Sequence, residues 1–378
     1  MNDQIKRLTL LSATAGIILT GYHAVPFMQQ IRIGSAAIPA AALTAEHEEI
    51  PEITAQQTIE SVTLETTAAE PELLAPAVLP SVNERIINIE SDSSKAMWYT
   101  RLYSETKTGN GGEILDRHFG PQSSTLFLDL PGGGQVRNTT CWNNADLLEE
   151  SKIQPQLPLK TDGTPMVLIY HTHTTESFVS PKTGNYDADC TFRSTEPDKN
   201  MVMVGDAIAE QLAAAGIGVV HARELHDYPV WTGAYANSAV TVQNILAQYP
   251  SICIALDIHR DAIADGDTVI APVTEIDGKQ AAQIMIISGC DDGTMGMPDY
   301  RENFHFACRL QETAETMFPG FTRPILFDYR KYNQELTTGS LLIEVGSQGN
   351  TLEEARYAGE LVGRSLSETI RLLASPPQ

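Results

Sequence analysis

MVLIYHTHTTESF, Met166 to Phe178, changes character half-way along. Its first five residues are a short apolar run of the kind a buried strand needs. The next six bring His171, His173 and Glu176 close together. In an open α/β sheet, ligands gather where the strands end. An apolar strand that stops on two histidines and a glutamate therefore raises the question of a site.

The sequence on either side supplies the rest of such a sheet. NMVMVGDAIAEQLAAAG has helical spacing and stops at Gly216, and IGVV follows as a strand. AYANSAVTVQNILAQYP is a second helix closed by Pro250, and ICIALDI is another buried strand. TVIAPVTEIDGKQAAQIMIIS reads as a hairpin turning at Asp277-Gly278. ENFHFACRLQETAETMF is helical, SLLIEV is a strand, and TLEEARYAGELVGRSLSETIRLLA is a long final helix. Alternating strands and helices predict an α/β fold, a three-layer sandwich with a mostly parallel sheet, over residues 162–376. Residues 85–161 read as a small module or an elaboration of that domain. STLFLDLPGGGQVRNTT gives two strands about a glycine turn, and NNADLLEESKI a short helix capped by Asn.

The N-terminus differs. Leu8 to Met28 carries no charged side chain and follows Lys6 and Arg7. The stretch is long enough to cross a bilayer, so residues 1–31 are expected to be a cytoplasmic stub and anchor, with the remainder outside the cytoplasm. Residues 32–84 are rich in Glu, Thr, Ala and Pro, without Lys or Arg from Ile33 to Glu84. That composition predicts a disordered acidic linker.

Composition excludes some functions. Lys and Arg total 25 against 48 Asp and Glu among 378 residues, a formal charge of −23. Such a surface repels phosphate backbones, so nucleic acid is not an expected partner. The five cysteines form no CxxC pair, which argues against a thiolate zinc site. LPGGGQV lacks the Lys-Ser/Thr of a P-loop, and Ser177 lacks a GxSxG elbow.

The polar residues at the strand ends favour a metal. His173, Glu176 and His259 supply N, O and N donors, the set a catalytic zinc takes while keeping a position for water. Glu344, in LIEVGSQGN, could accept a proton from that water, and Asn350 lies in the same segment. Asp257 and Asp261, flanking His259 in DIHRD, could fix a histidine tautomer. His171 points as His173 does in an extended chain and is an alternative or supporting ligand. A second HxxE occurs in HARELHDYP, where His221, His226 and Asp227 could line the cleft rim.

Taken together, LIYHTHTTESF, NMVMVGDAIAEQL, VHARELHDYP, DIHRDA and NQELTTGSLLIEVGSQGNTLEEA resemble the stage II sporulation protein P family over about Asp162 to Leu373. The resemblance implies the fold of the zinc-dependent N-acetylmuramoyl-L-alanine amidases. It implies cleavage of the amide between the glycan's lactyl group and the stem peptide, and of peptide crosslinks, during engulfment. The implied partners are peptidoglycan and the stage II sporulation proteins D and M. By that resemblance VLIYHTH selects His173 and DIHRD selects His259 as zinc ligands, and LIEVGSQGN selects Glu344 as the catalytic carboxylate. The amidases' glutamate ligand has its nearest counterpart in Glu196; Glu176 is preferred because it lies one turn from His173. Arg260 could hold a stem-peptide carboxylate or form a surface ion pair. The alternatives are a zinc peptidase on free or γ-glutamyl peptides, and a catalytically silent wall-binding protein.

Overall fold

The structure, a computed structural model, describes residues 81–91 and 108–374. The expected anchor and residues 32–80 of the expected linker lie outside them. Among the described residues no helix is long and apolar enough to cross a membrane.

In chain order the strands are β1 (Ile86–Ile89), β2 (Gly112–Arg117), β3 (Phe127–Asp129), β4 (Gln135–Asn138), β5 (Pro165–Tyr170), β6 (Asn185–Tyr186) and β7 (Gly218–Ala222). They continue with β8 (Ile254–Asp261), β9 (Ala264–Asp265), β10 (Thr268–Ile276), β11 (Lys279–Ala282), β12 (Ile284–Gly289), β13 (Ile325–Asp328) and β14 (Ser340–Ser347). The helices are α1 (Asn144–Glu150), α2 (Met201–Ala214), α3 (Ala234–Gln248), α4 (Tyr300–Met317) and α5 (Leu352–Ala374).

Nine strands form the main sheet in the order β1-β7-β5-β8-β14-β12-β13-β4-β3. Of its eight neighbouring pairs, β14·β12 and β4·β3 are antiparallel and the other six are parallel. The sheet is thus mixed: β12 reverses direction against β14, and β13 and β4 run with it. Periodicity does not reveal that reversal, because a strand buried on both faces reads alike in either direction.

Alternation along the strands separates two cores. Val167 and Ile169 of β5, Val219 of β7 and Ile254, Leu256 and Ile258 of β8 share one apolar cluster with α2, α4 and α5. Leu168 and Tyr170, Val220 and Ala222, and Ala255 share the other with Val242 and Ile245 of α3. Helices thus cover both faces, giving three layers over this half of the sheet. Val167, Leu168 and Ile169 are fully buried, and each such side chain contributes about 1.5–3 kcal/mol. At Gly359 of α5 a Cβ would stand 2.9 Å from the Val204 carbonyl of α2, so glycine lets the two helices close.

A second sheet, β11-β10-β2-β6 with β9 on β10, stands beside β14. The predicted hairpin is β10–β11, with Asp277 (φ +51°) and Gly278 (φ +75°) both left-handed at the turn. It belongs to this smaller sheet, and the chain returns to the main sheet at β12. The segment 85–161 does not stand apart. It supplies β1 to one margin of the main sheet, β3 and β4 to the other, and β2 to the second sheet. Asn143 caps α1 by accepting from Ala145 N.

Candidate active site

The site lies on the α3 face of the main sheet, over three adjacent strands. β5 ends at Tyr170 and a tight turn follows, closed by a hydrogen bond from Glu176 N to His173 O (3.0 Å). That turn sets His173 and Glu176 side by side. His259 and Glu344 do not sit beyond strand ends, because β8 runs on to Asp261 and β14 to Ser347. They project from the sheet face, and their Cα atoms pair across β8 and β14.

The four residues meet. The His173 and His259 rings are 5.2 Å apart, edge to face. His259 Nδ1 is 3.5 Å from Glu176 Oε2, which also accepts from Arg260 N (3.2 Å). His259 Nε2 is 2.9 Å from Asp257 Oδ1, close enough for a charge contact but lacking the alignment of a hydrogen bond. Asp257 is itself fixed: Thr172 N donates to Oδ1 (2.8 Å) and Thr172 Oγ1 to Oδ2 (2.6 Å).

The electrostatics follow from burial and charge. Burial disfavours charge on His259, but Asp257 and Glu176 outweigh it and raise the imidazole well above its usual range. Burial lowers the proton affinity of His173. Glu176 is buried, yet the contact with His259 and the Arg260 charge hold its carboxyl far below the usual range. Burial, then the Asp261 charge, pushes Glu344 up to about 8, and its Oε2 is buried without a partner.

Among the described residues no group of three or more His, Cys, Asp or Glu is drawn together to metal-binding spacing. The chemistry of the donors nonetheless suits a divalent ion: two imidazoles and a carboxylate side by side, with His173 Nδ1 buried and unpartnered. Asp257 stands where the outer carboxylate of a carboxylate–histidine–metal arrangement belongs.

Other sequence candidates lie elsewhere. His171 is buried on the opposite face of β5's end. It donates from Nδ1 to Ile258 O (3.0 Å) and meets His221 Nε2 at 2.9 Å. A Cβ at Gly205 of α2 would collide with these rings, so glycine makes room for the pair. Glu196 pairs with Lys199 (2.8 Å) rather than with either site histidine. His226 does not line a rim: it is buried, with Nδ1 donating to His171 O and Nε2 3.0 Å from Thr241 Oγ1. Arg260 is buried and is not a surface ion pair. Its guanidinium, buried, donates to the carbonyls of Ser177, Phe192 and Asp261. Asn350 locks the turn into α5, accepting from Ser347 N and donating to Pro272 O and Glu354. Asp261 pairs with Arg323 (2.8 Å).

The structure adds an aromatic wall that spacing did not mark. Trp231 stacks on His173 (5.8 Å, 17°), Tyr235 on His259 (6.3 Å, 12°), and Tyr332 on Tyr235 (5.1 Å, 19°). Tyr332 and Asn333 both hold positive φ, and Asn333 Nδ2 donates to Tyr235 O (2.9 Å).

The model of the family described as Stage II sporulation protein P (SpoIIP) matches residues 133–367. The chain belongs to that family. The stage II sporulation protein P of Bacillus subtilis (strain 168) is 29% identical over 275 residues, 68% of this chain and 65% of the relative. The match therefore spans just under two thirds of that protein's length. Looser likenesses to solved structures accompany it. The amidase Ami1 of Mycobacterium abscessus is 12% identical at a TM-score of 0.33, covering 56% of this SpoIIP-family chain and 99% of that one. The CwlD amidase of Clostridioides difficile, solved with the GerS lipoprotein, is 9% identical at 0.35, covering 55% and 99%. A metallo-carboxypeptidase of Burkholderia cenocepacia is 9% identical at 0.31, covering 56% and 58%. Likeness at this level carries no inference about chemistry.

Proposed function

We propose that this SpoIIP-family chain is a metal-dependent peptidoglycan hydrolase of sporulation. It opens the N-acetylmuramoyl-L-alanine amide and, as a second activity, peptide crosslinks during engulfment. One observation carries the reading: His173, Glu176 and His259 gather on the sheet face with Glu344 beside them.

A zinc ion held by His173, Glu176 and His259 would polarise the amide carbonyl and lower the pKa of a water toward about 7. Glu344 takes the proton from the attacking water and returns it to the leaving nitrogen. Burial and the Asp261 charge raise its proton affinity, which favours its holding a proton taken from the water until the leaving nitrogen receives it. Asp257, held by Thr172, sets its charge beside Nε2 of His259 and leaves Nδ1 on the Glu176 side. Arg260 ties the loop that carries Glu176 to β8. Tyr235, stacked on His259, covers that imidazole.

Residues 8–28 would tether the enzyme to the membrane, with its active site outside the cytoplasm; the charge pattern around Lys6 and Arg7 supports this. The stage II sporulation proteins D and M are the partners proposed from the family resemblance. The test is digestion of purified sacculi by metal-loaded protein, with the products weighed by mass spectrometry. Release of intact stem peptides, abolished by chelation, is expected. Release of glycan fragments alone, or no release by the loaded protein, would refute the activity.

A further inference from the structure

We propose that Trp231 is a sugar platform, whose open face takes a pyranose ring on the glycan side of the amide to be cut. The idea rests on the amidase reading above and adds the substrate element that this part of the site recognises.

Trp231 lies on the connection from β7 to α3, beside Val230. The two are 55% and 60% exposed. The Trp231 ring lies nearly parallel to the His173 ring, 17° apart. That contact uses one face of the indole; the residue is more than half exposed, and its free side is the one turned away from His173, at the border of the site. An isolated exposed apolar residue needs no explanation. A flat aromatic fixed against a candidate metal-site histidine does.

The segment that carries the ring is braced at both ends. Asp227 accepts from Thr175 N (3.1 Å), Thr175 Oγ1 (2.7 Å) and Arg193 Nη1 (2.7 Å). Just beyond it, Asn237 Nδ2 donates to His226 O (3.0 Å). Binding to a rigid surface avoids the cost of ordering a loop.

Charge selects the ligand. Residues 228–233, YPVWTG, carry no charged side chain. The arginines around the site are already engaged: Arg193 by Asp227, Arg260 by three carbonyls, Arg323 by Asp261. A stem peptide rich in carboxylates gains nothing at such a surface. A pyranose ring is uncharged on its flat side and presents C–H groups to the negative face of an aromatic ring. The scissile amide has a sugar on one side and a peptide on the other, so the uncharged indole suits the sugar.

Two substrates separate the roles: a muramyl peptide, and a lactyl peptide with the same amide but no sugar. With Trp231→Ala, KM for the muramyl peptide should rise about 10-fold with kcat little changed, the mark of lost uniform binding. Trp231→Tyr should stay near wild type, and all three proteins should cut the sugar-free substrate alike. Bound metal is measured in each variant, so that damage to His173 is not mistaken for lost sugar contact. Equal loss on both substrates overturns the platform. Calorimetry with peptide-free glycan strands needs no turnover. Wild type should bind them and Trp231→Ala should not, while no binding by wild type, or unchanged binding by the variant, overturns the proposal. Glycan binding that needs Trp231, in a wild type unable to cut either substrate, would overturn the amidase reading and leave the platform standing.

Discussion

Glu344 on β14 stands level with His259 on β8, the two Cα atoms paired across parallel strands and both side chains on one face. A proton acceptor is thus held by the sheet beside a candidate metal ligand, and no loop has to close to bring them together. Glu344→Gln keeps the shape and removes the acceptor. Turnover of sacculi should fall by about 100- to 10,000-fold with bound metal unchanged. Full turnover by the variant would remove Glu344 from the mechanism.

Asp257 never reaches the proposed ion, yet it governs His259. Asp257→Asn should weaken metal affinity by roughly 10- to 100-fold, as loss of an outer carboxylate does. Competition against a chromogenic chelator measures this. Thr172→Val, which frees one Asp257 oxygen, should shift affinity the same way by less.

His173 and His171 are two residues apart and should behave as opposites. His173→Ala should lose metal while its fold survives, because its ring is held by one stacked and two edge-on aromatic contacts. His171→Ala should lower Tm, because it empties a buried position with two ring hydrogen bonds. Metal analysis and thermal melts on both variants, with and without chelator, check the contrast.

The same His171 predicts acid lability. Burial, then the neighbouring His221, holds its imidazole well below the ordinary 6.5. The unfolded chain therefore binds a proton that the native chain refuses. Its contribution is complete above about pH 6.5 and is lost as pH falls below that value. Tm should decline from pH 7 to 5, and the decline should be shallower in His171→Gln. Parallel curves for the two proteins would contradict the assignment.

Arg260 should matter for stability more than for substrate binding. Arg260→Met removes donors to three carbonyls and should cost about 2–4 kcal/mol in urea unfolding. If its role were to bind a substrate carboxylate, KM would rise with stability intact.

Much of this architecture is visible in local patterns. Apolar runs mark β5, β7, β8 and β14, and helical spacing marks α2 to α5, because these elements bury one face or both. What escapes local patterns is relational. Nothing inside IMIISG states that β12 runs against β14. The DIHRD segment carries three roles that spacing cannot assign: His259 faces the site, Asp261 pairs with Arg323, and Arg260 turns away to brace a loop. His171 and His173 look equivalent as a pair in sequence, but the turn after Tyr170 sends them to opposite faces. Trp231, Tyr235 and Tyr332 escape such patterns because aromatics at such positions usually fill a core; only ring geometry, and for Trp231 its exposure, sets them beside the histidines.

The way residues 86–138 are woven into the main sheet bears on how this protein can be handled. A fragment begun at residue 162 would keep every candidate ligand but lose β1, β3 and β4. β7 and β13 would then become raw borders with unpaired peptide groups, and the patch now covered by Leu128, Val136 and Leu147 would be laid bare. Such borders recruit one another. The shortened enzyme should precipitate or form fibrils where the longer one stays in solution, although its chemistry would be intact on paper.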